Sequence, residues 1–185
     1  MIEAATTFDE AWETADEITG WLSKAEAAAL WDAAQLTPID GVIVEVGSFC
    51  GRSTTILAET GRKVIAFDPL VLGQSIAKTP IDESVVDSLR SVVAKYDNVI
   101  WHRCKSDEGP IPPRIDLLHI DACHKYPHPL VDYMRFADSL RPGSLVAFHD
   151  YWREFGVTKA VTELEKWGDI SKINVAEVMY VGEVQ

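Results

Sequence analysis

Short apolar runs alternate with helical stretches along most of this sequence, and this alternation limits the folds open to the chain. The runs cover residues 42–46, 64–67, 99–101, 115–120 and 145–148, and amphipathic or helix-capped segments separate most of them. Strands that are apolar throughout are typical of parallel sheets buried on both faces. The sequence therefore predicts an α/β fold with a doubly wound, mostly parallel sheet and helices on both faces.

The first 40 residues carry no strand pattern and are predicted to form an N-terminal helical extension. Ser23 and Glu26 have the spacing of a capping box, which predicts that a helix begins there and continues to about Gln35. Residues 41–185 then form the core, and 1–185 is predicted to be one domain. Residues 173–184 supply either one long strand or a terminal pair.

The net charge and the cysteines indicate which binding partners and which cellular compartment to expect. The net charge of -12 opposes phosphate backbones and anionic lipid, so we expect a small-molecule ligand, no nucleic acid and no membrane. No apolar run is long enough to span a bilayer, and the start lacks a secretory pattern. Cys50, Cys104 and Cys123 have no CxxC spacing and are typical of free thiols in a reducing compartment, which predicts a cytoplasmic location.

In a doubly wound sheet, ligands bind beyond the carboxyl ends of the strands. The first run is followed by Gly47 and Gly51, which would let a ligand approach the backbone, although a plain strand-to-helix turn has the same pattern. Asp68 ends the second run about 20 positions later, the spacing of a carboxylate that holds a ribose, although an aspartate before Pro69 is also common in turns. Together these features indicate an adenosine-containing ligand.

The fourth and fifth runs end in Asp121 and in the pair His149 and Asp150. If these strands are neighbours, their backbones lie about 5 Å apart. Asp121, His149 and Asp150 would then converge and are the predicted ligands of a divalent metal. The alternative is a polar substrate floor with no ion. His124, in the loop after Asp121, could deprotonate an acceptor hydroxyl, or could be a surface histidine without a role.

Three segments resemble a known family. The segment from Glu45 to Thr54 is similar to the first motif of class I S-adenosylmethionine-dependent methyltransferases, which have Rossmann-like folds. His119-Ile-Asp-Ala-Cys-His-Lys-Tyr and Ala147-Phe-His-Asp-Tyr resemble a branch with macrocin-type O-methyltransferases and cephalosporin hydroxylase-like proteins. The resemblance extends from Gly20 to Val184.

The resemblance implies a role for each matching residue. Gly47 and Gly51 would admit the methionine part of S-adenosylmethionine, and Asp68 would hold its ribose. The other implied cofactor-binding residues are Glu45 at the amino end, Ser53 and Thr54 at the carboxylate, and Asp107 at the adenine, with an exposed loop acid as the alternative for Asp107. His124 matches a proposed base, so His124 and Asp121 are the predicted catalytic residues.

The metal site departs from the branch pattern. Metal-dependent members have an aspartate after one strand and an acidic pair after the next, whereas here His149 replaces the first acid of the pair. Asp-Ala-Cys-His also stands where the branch has Asp-Gly-Asp-His. Fewer hard oxygen ligands weaken the case for magnesium and leave a softer metal or none.

The predicted function is O-methylation of a small natural product or sugar by S-adenosylmethionine. Two alternatives stay open, a non-catalytic S-adenosylmethionine-binding protein and hydroxylase-like chemistry on the same fold. A nicotinamide dehydrogenase is disfavoured because the GxGxxG pattern is absent. A substrate lid would come from residues 8–36, from 70–82 or from a second subunit of a homo-oligomer.

Overall fold

The structure is a computed structural model that describes residues 7–76 and 78–185. Its helices are α1 (Phe8–Asp16), α2 (Lys24–Leu36), α3 (Arg52–Glu59), α4 (Glu83–Lys95), α5 (His128–Phe136) and α6 (Phe155–Trp167), with a 3₁₀ turn at Ala137–Ser139. Its strands are β1 (Val42–Val46), β2 (Lys63–Phe67), β3 (Ser75–Ile76), β4 (Thr79–Pro80), β5 (Val99–His102), β6 (Leu117–Ile120), β7 (Leu145–Phe148), β8 (Ile170–Ala176) and β9 (Met179–Val184).

Seven strands form one sheet in the order β5-β2-β1-β6-β7-β9-β8. The first five are parallel, and β9 and β8 are antiparallel additions, so the predicted mostly parallel sheet is confirmed and its tail is a strand pair. Val46 pairs with both Phe67 and Ile120, and Ile120 pairs with Phe148. The carboxyl ends of β1, β2, β6 and β7 are therefore level, and the residues after them share one edge.

Helices cover both faces of the sheet because alternate strand residues supply two cores. On one face Ile43 packs with Leu30 of α2 and Ile56 of α3. On the other face Val44 and Phe148 share a cluster with residues of α5 and α6. This double burial explains why the strands are apolar throughout.

The N-terminal extension is anchored to the start of α3. Arg52, the first residue of α3, donates to the carbonyl oxygens of Ile18 (2.7 Å), Leu22 (3.0 Å) and Asp16 (3.3 Å). The predicted capping box at the start of α2 is confirmed, with the Ser23 amide donating to Glu26 at 2.8 Å. Arg52 therefore holds the extension beside the turn that follows β1.

The segment after β2 contains the short β3–β4 hairpin, which the sequence pattern does not indicate. Among the residues that the structure describes, no helix is both long and apolar enough to cross a membrane.

Candidate active site

The glycine turn after β1 is shaped by close packing against the next parallel strand. Gly47 has a φ of +91°, and a Cβ at this position would lie 2.1 Å from the carbonyl oxygen of Asp121. Gly51 has a φ of +97° and caps α3, and a Cβ there would lie 2.9 Å from a methyl carbon of Val92. Both glycines are thus required by the protein's own packing, in addition to any approach of a ligand.

Asp68 holds the glycine turn through its carboxylate. It accepts hydrogen bonds from the backbone N–H groups of Ser48 and Phe49, both at 2.9 Å, and of Leu70 at 3.0 Å. Burial raises the pKa of Asp68 above its ordinary value, and these donors only partly offset that effect. The residue predicted to bind ribose therefore lies beside the turn, as expected, and also organises its backbone.

Glu45 and Thr54 lie beneath the turn and have no exposed surface. The Glu45 carboxylate accepts hydrogen bonds from the hydroxyls of Ser48 (2.7 Å) and Thr54 (2.5 Å), and lies 3.4 Å from Nδ1 of buried His119. The expected contacts of Glu45 and Thr54 with a cofactor stay a prediction, and both side chains already have partners inside the protein. Both side chains support the turn from inside the protein, because strand pleating points Glu45 at α3, where Thr54 lies.

The extension reaches the same turn from outside. The indole of Trp21 stacks on the ring of Phe49 with a centroid separation of 4.8 Å. Phe49 itself has a φ of +49°, an unfavourable conformation for a residue with a side chain. Ser53 is buried in the first turn of α3.

Asp107 lies exposed in the loop after β5, at the same edge of the sheet as Asp68. Its neighbour Ser106 is buried and donates to Asp132 of α5 at 2.5 Å. Arg135 of α5 donates to the carbonyl oxygens of Ser106 (3.3 Å) and Gly109 (3.0 Å). Helix α5 therefore fixes the loop that carries Asp107, a role for Asp132 that the sequence pattern does not indicate.

Asp121, His124, His149 and Asp150 converge beyond the ends of β6 and β7, and are called the Asp–His cluster below. Oδ1 of Asp121 lies 3.2 Å from Nε2 of His124 and 3.3 Å from Nδ1 of His149. Oδ2 of Asp150 lies 3.4 Å from Nδ1 of His124 and 3.6 Å from Nδ1 of His149. Two imidazoles thus alternate with two carboxylates, which confirms that β6 and β7 bring these residues together.

The charges in the Asp–His cluster stabilise one another. Burial favours neutral groups, but His149 and His124 outweigh it at Asp121 and lower the pKa of that carboxyl. At His124 the hydrogen bond with Asp121 and the charges of Asp121 and Asp150 likewise overcome burial and raise the pKa. At His149 burial again opposes the charged form, and the acidic neighbours raise the pKa to about 10.

The predicted metal ligands are Asp121, His149 and Asp150. The raised pKa of His149 disfavours this set, because a ring that carries both protons has no lone pair for a metal ion until one proton leaves. Ligand atoms of Asp121, His124 and Asp150 all lie within 4.8 Å of one another, so these three residues are the ones that could hold a divalent cation. This second set contains His124 in place of the predicted His149, and His124 could not serve as a base while it coordinated an ion.

Local contacts fix the two loops that carry the Asp–His cluster. Asp150 has a φ of +58°, and its carboxylate accepts a hydrogen bond from Arg153 at 3.0 Å. Gly156 at the start of α6 packs so closely that a Cβ would lie 2.2 Å from the carbonyl oxygen of His124. The start of α6 therefore packs directly against the loop that carries His124.

A residue of the extension completes the site. Glu26, which is 2% exposed, lies 3.3 Å from Nε2 of His149, which is 3% exposed. Sequence reasoning recognised Glu26 only as part of a capping box, because its partner is 123 positions away in the chain. A buried acid on an otherwise alanine-rich helix was the only signal in the sequence.

Comparison with known proteins places this chain in a family. A sequence profile of a methyltransferase domain matches residues 44–151, which is more than half of the chain and includes the glycine turn and the Asp–His cluster. The chain belongs to this methyltransferase family. The methyltransferase fold is shared by solved structures whose sequences are only 16% identical.

Two of these structures cover the whole chain. The O-methyltransferase TomG from Streptomyces achromogenes, solved with S-adenosylmethionine, has a TM-score of 0.64, and the match covers 92% of it. An O-methyltransferase from Bacillus cereus, solved with S-adenosylhomocysteine, has a TM-score of 0.67, and the match covers 93% of it. At this identity the likeness shows the fold.

One sequence relative points to a different substrate. A stretch of 67 residues is 42% identical to ribosomal RNA small subunit methyltransferase A of Thermotoga maritima. The stretch is 36% of this chain and spans only 19% of that relative.

Proposed function

We propose that this methyltransferase transfers the methyl group of S-adenosylmethionine to a hydroxyl oxygen of a small acceptor, with His124 as the base. The observation that carries the proposal is the position of His124. It is partly exposed between two carboxylates, in a loop whose first residue packs against the glycine turn. A proton acceptor thus lies next to the turn where the family motif is found.

The residues around the glycine turn fit the cofactor. Asp68 uses three of about four acceptor positions of its carboxylate for backbone donors, which leaves one for a ribose hydroxyl. We assign Gly47, Gly51 and Ser53 to the methionine part of the cofactor and the exposed Asp107 to its adenine. When bound, S-adenosylmethionine supplies the reactive methyl group on its sulfonium, and the protein supplies positioning and a base.

His124 would remove the proton from the acceptor hydroxyl as the oxygen attacks the methyl carbon. The neutral imidazole would donate its one N–H to Asp121 or Asp150, and its other nitrogen would take the proton. Both carboxylates would then stabilise the cation that results. This arrangement does not depend on a metal ion, because protonated His149 lies beside both carboxylates and supplies positive charge while His124 is neutral. A divalent cation held by Asp121, His124 and Asp150 would instead bind the acceptor oxygen and lower its pKa.

The test is a comparison of two histidine variants that lie close together in the chain. Calorimetry with S-adenosylmethionine, S-adenosylhomocysteine and NAD should show binding of the first two alone. In a screen of hydroxylated acceptors that detects S-adenosylhomocysteine release, His124→Ala should lower turnover by about 10²–10⁴-fold and barely change S-adenosylhomocysteine affinity. His128→Ala, which changes an exposed histidine at the start of α5, is the matched control and should retain turnover.

Two outcomes would contradict the proposal that His124 is the base. If chelation abolishes turnover and a divalent ion restores it, the metal-bound arrangement replaces the base. If binding occurs but neither His124 nor chelation affects any turnover, the non-catalytic or hydroxylase-like alternative gains support.

Methylation of RNA is the second candidate, because it is the activity named in the Thermotoga relative. The net charge of -12 opposes a phosphate backbone, so the small acceptor is favoured. Turnover on ribosomal RNA at moderate salt, without turnover on small acceptors, would reverse this order.

A further inference from the structure

Glu26 joins the N-terminal extension to the Asp–His cluster. It is the third residue of α2, and the Ser23 amide donates to its carboxylate at 2.8 Å. The Val178 amide, between β8 and β9, approaches the other carboxylate oxygen at 3.4 Å. The capping box and the β8–β9 turn thus hold Glu26 from two sides. These contacts fix its position independently of His149.

The orientation of His149 depends on this carboxylate. Nε2 of His149 forms a hydrogen bond with Glu26 at 3.3 Å. Nδ1 of the same imidazole is buried and faces Oδ1 of Asp121, also at 3.3 Å. The imidazole is therefore held between two carboxylates, and Glu26 supplies the contact on the side away from Asp121.

The same contact reaches the proposed base through one shared atom. Oδ1 of Asp121 lies 3.3 Å from His149 on one side and 3.2 Å from His124 on the other. A shift of the His149 imidazole would leave Asp121 with a single imidazole neighbour. The carboxylate would then be free to rotate, and His124 would lose a fixed partner at Nε2.

We infer that Glu26 is a positioning residue that fixes His149, and through it the Asp121 carboxylate that orients His124. The inference rests on the proposed function for its catalytic consequence, but the chain of contacts is a property of the folded protein alone. It makes α2 a part of the active site, in addition to its packing against the sheet. Outer partners of this kind commonly change activity by about 10–100-fold when they are lost.

The test uses Glu26→Gln with Ser23→Ala as the matched control. Glutamine has nearly the same shape and can also complete a capping box, so α2 should keep its start while the charge on His149's partner is lost. Ser23→Ala removes the side-chain cap of the same helix and leaves Glu26 and the Ser23 amide in place. The measurement is the set of side-chain resonances of isotope-labelled histidines at one pH, without cofactor or acceptor.

Glu26→Gln should shift the ring resonances of both His149 and His124, and Ser23→Ala should shift neither while it lowers the melting temperature. The inference is overturned if Glu26→Gln leaves the His124 resonances unchanged, or if Ser23→Ala shifts them equally. His149→Gln is a second variant for the same resonance measurement, and it can be used even if Glu26→Gln does not fold. It should shift His124, and Glu26→Gln added to it should cause no further shift, whereas an additional shift would show that the effect bypasses His149.

Measurement of turnover tests the catalytic consequence of the inference. With an acceptor found in the screen, Glu26→Gln should lower kcat by about 10–100-fold and change the KM for S-adenosylmethionine by less than about twofold. An unchanged kcat would refute the positioning role. If no acceptor is turned over, the proposed function fails, and the resonances still decide whether Glu26 positions the cluster.

Discussion

Substitution of Gly47 tests how closely the glycine turn and the Asp121 loop are packed. A Cβ at Gly47 would lie 2.1 Å from the carbonyl oxygen of Asp121, 2.6 Å from its carbonyl carbon and 3.0 Å from Cα of Ala122. All three atoms are backbone, so the contact cannot be relieved by a side-chain rotation. Gly47→Ala must therefore separate the two loops by about 1.5 Å to reach an ordinary contact distance.

The expected loss of stability has two parts. A side chain at the left-handed φ of Gly47 costs about 1–2 kcal/mol, and overpacking against backbone costs about 1–3 kcal/mol more. Gly47→Ala should thus lower the free energy of unfolding by about 2–5 kcal/mol in urea titrations. Because the displaced loop carries Asp121, turnover should fall by about 10²-fold in the fraction that stays folded.

Gly168 is the matched control for the backbone part of this loss. It has a φ of +80°, and nothing lies within 4 Å of a Cβ built on it. Gly168→Ala should therefore cost only the conformational part, about 1–2 kcal/mol, and leave turnover unchanged. If the two variants lose the same stability to within about 0.5 kcal/mol, the packing contact between Gly47 and Asp121 is refuted.

Two further predictions concern Asp68 and His124. Asp68→Ala should weaken S-adenosylhomocysteine binding at least about tenfold in calorimetry, and should also lower unfolding stability by about 2–4 kcal/mol because three backbone donors lose their acceptor. Full stability in that variant would contradict its hydrogen bonds to the turn. Because the pKa of His124 is raised above 6.5 and only its neutral form can accept a proton, kcat should rise with pH and level off above pH 6.5. A flat profile, or one that levels off below that value, would refute His124 as the base.

Much of the fold was predictable from local patterns. The apolar runs at 42–46 and 145–148 coincide with β1 and β7, and the spacing of Ser23 and Glu26 located the start of α2. Strands and helix caps depend on neighbouring residues, so sequence spacing contains the information. The place of β9 between β7 and β8 was not predictable, because the pairing joins segments that are distant in the chain.

The sequence predicted where the candidate site lies on the sheet. It predicted less well how the side chains in the site are arranged. The residues after β1, β2, β6 and β7 share one edge because parallel strands run in one direction, which the alternation of strands and helices already implied. Whether a side chain at that edge faces a ligand or the core depends on register and on the covering helix. Glu45 and Thr54 were therefore assigned to the cofactor, although α3 and the sheet bury both.

The sequence by itself determined which residues lie at the reactive edge of the sheet, since each follows the end of a strand. Only the tertiary structure decided which of them form pairs. His124 lies between Asp121 and Asp150 because β6 and β7 are neighbours and α6 presses on the intervening loop. Glu26 lies against His149 because α2 packs over β7, a contact across 123 positions that no local pattern encodes.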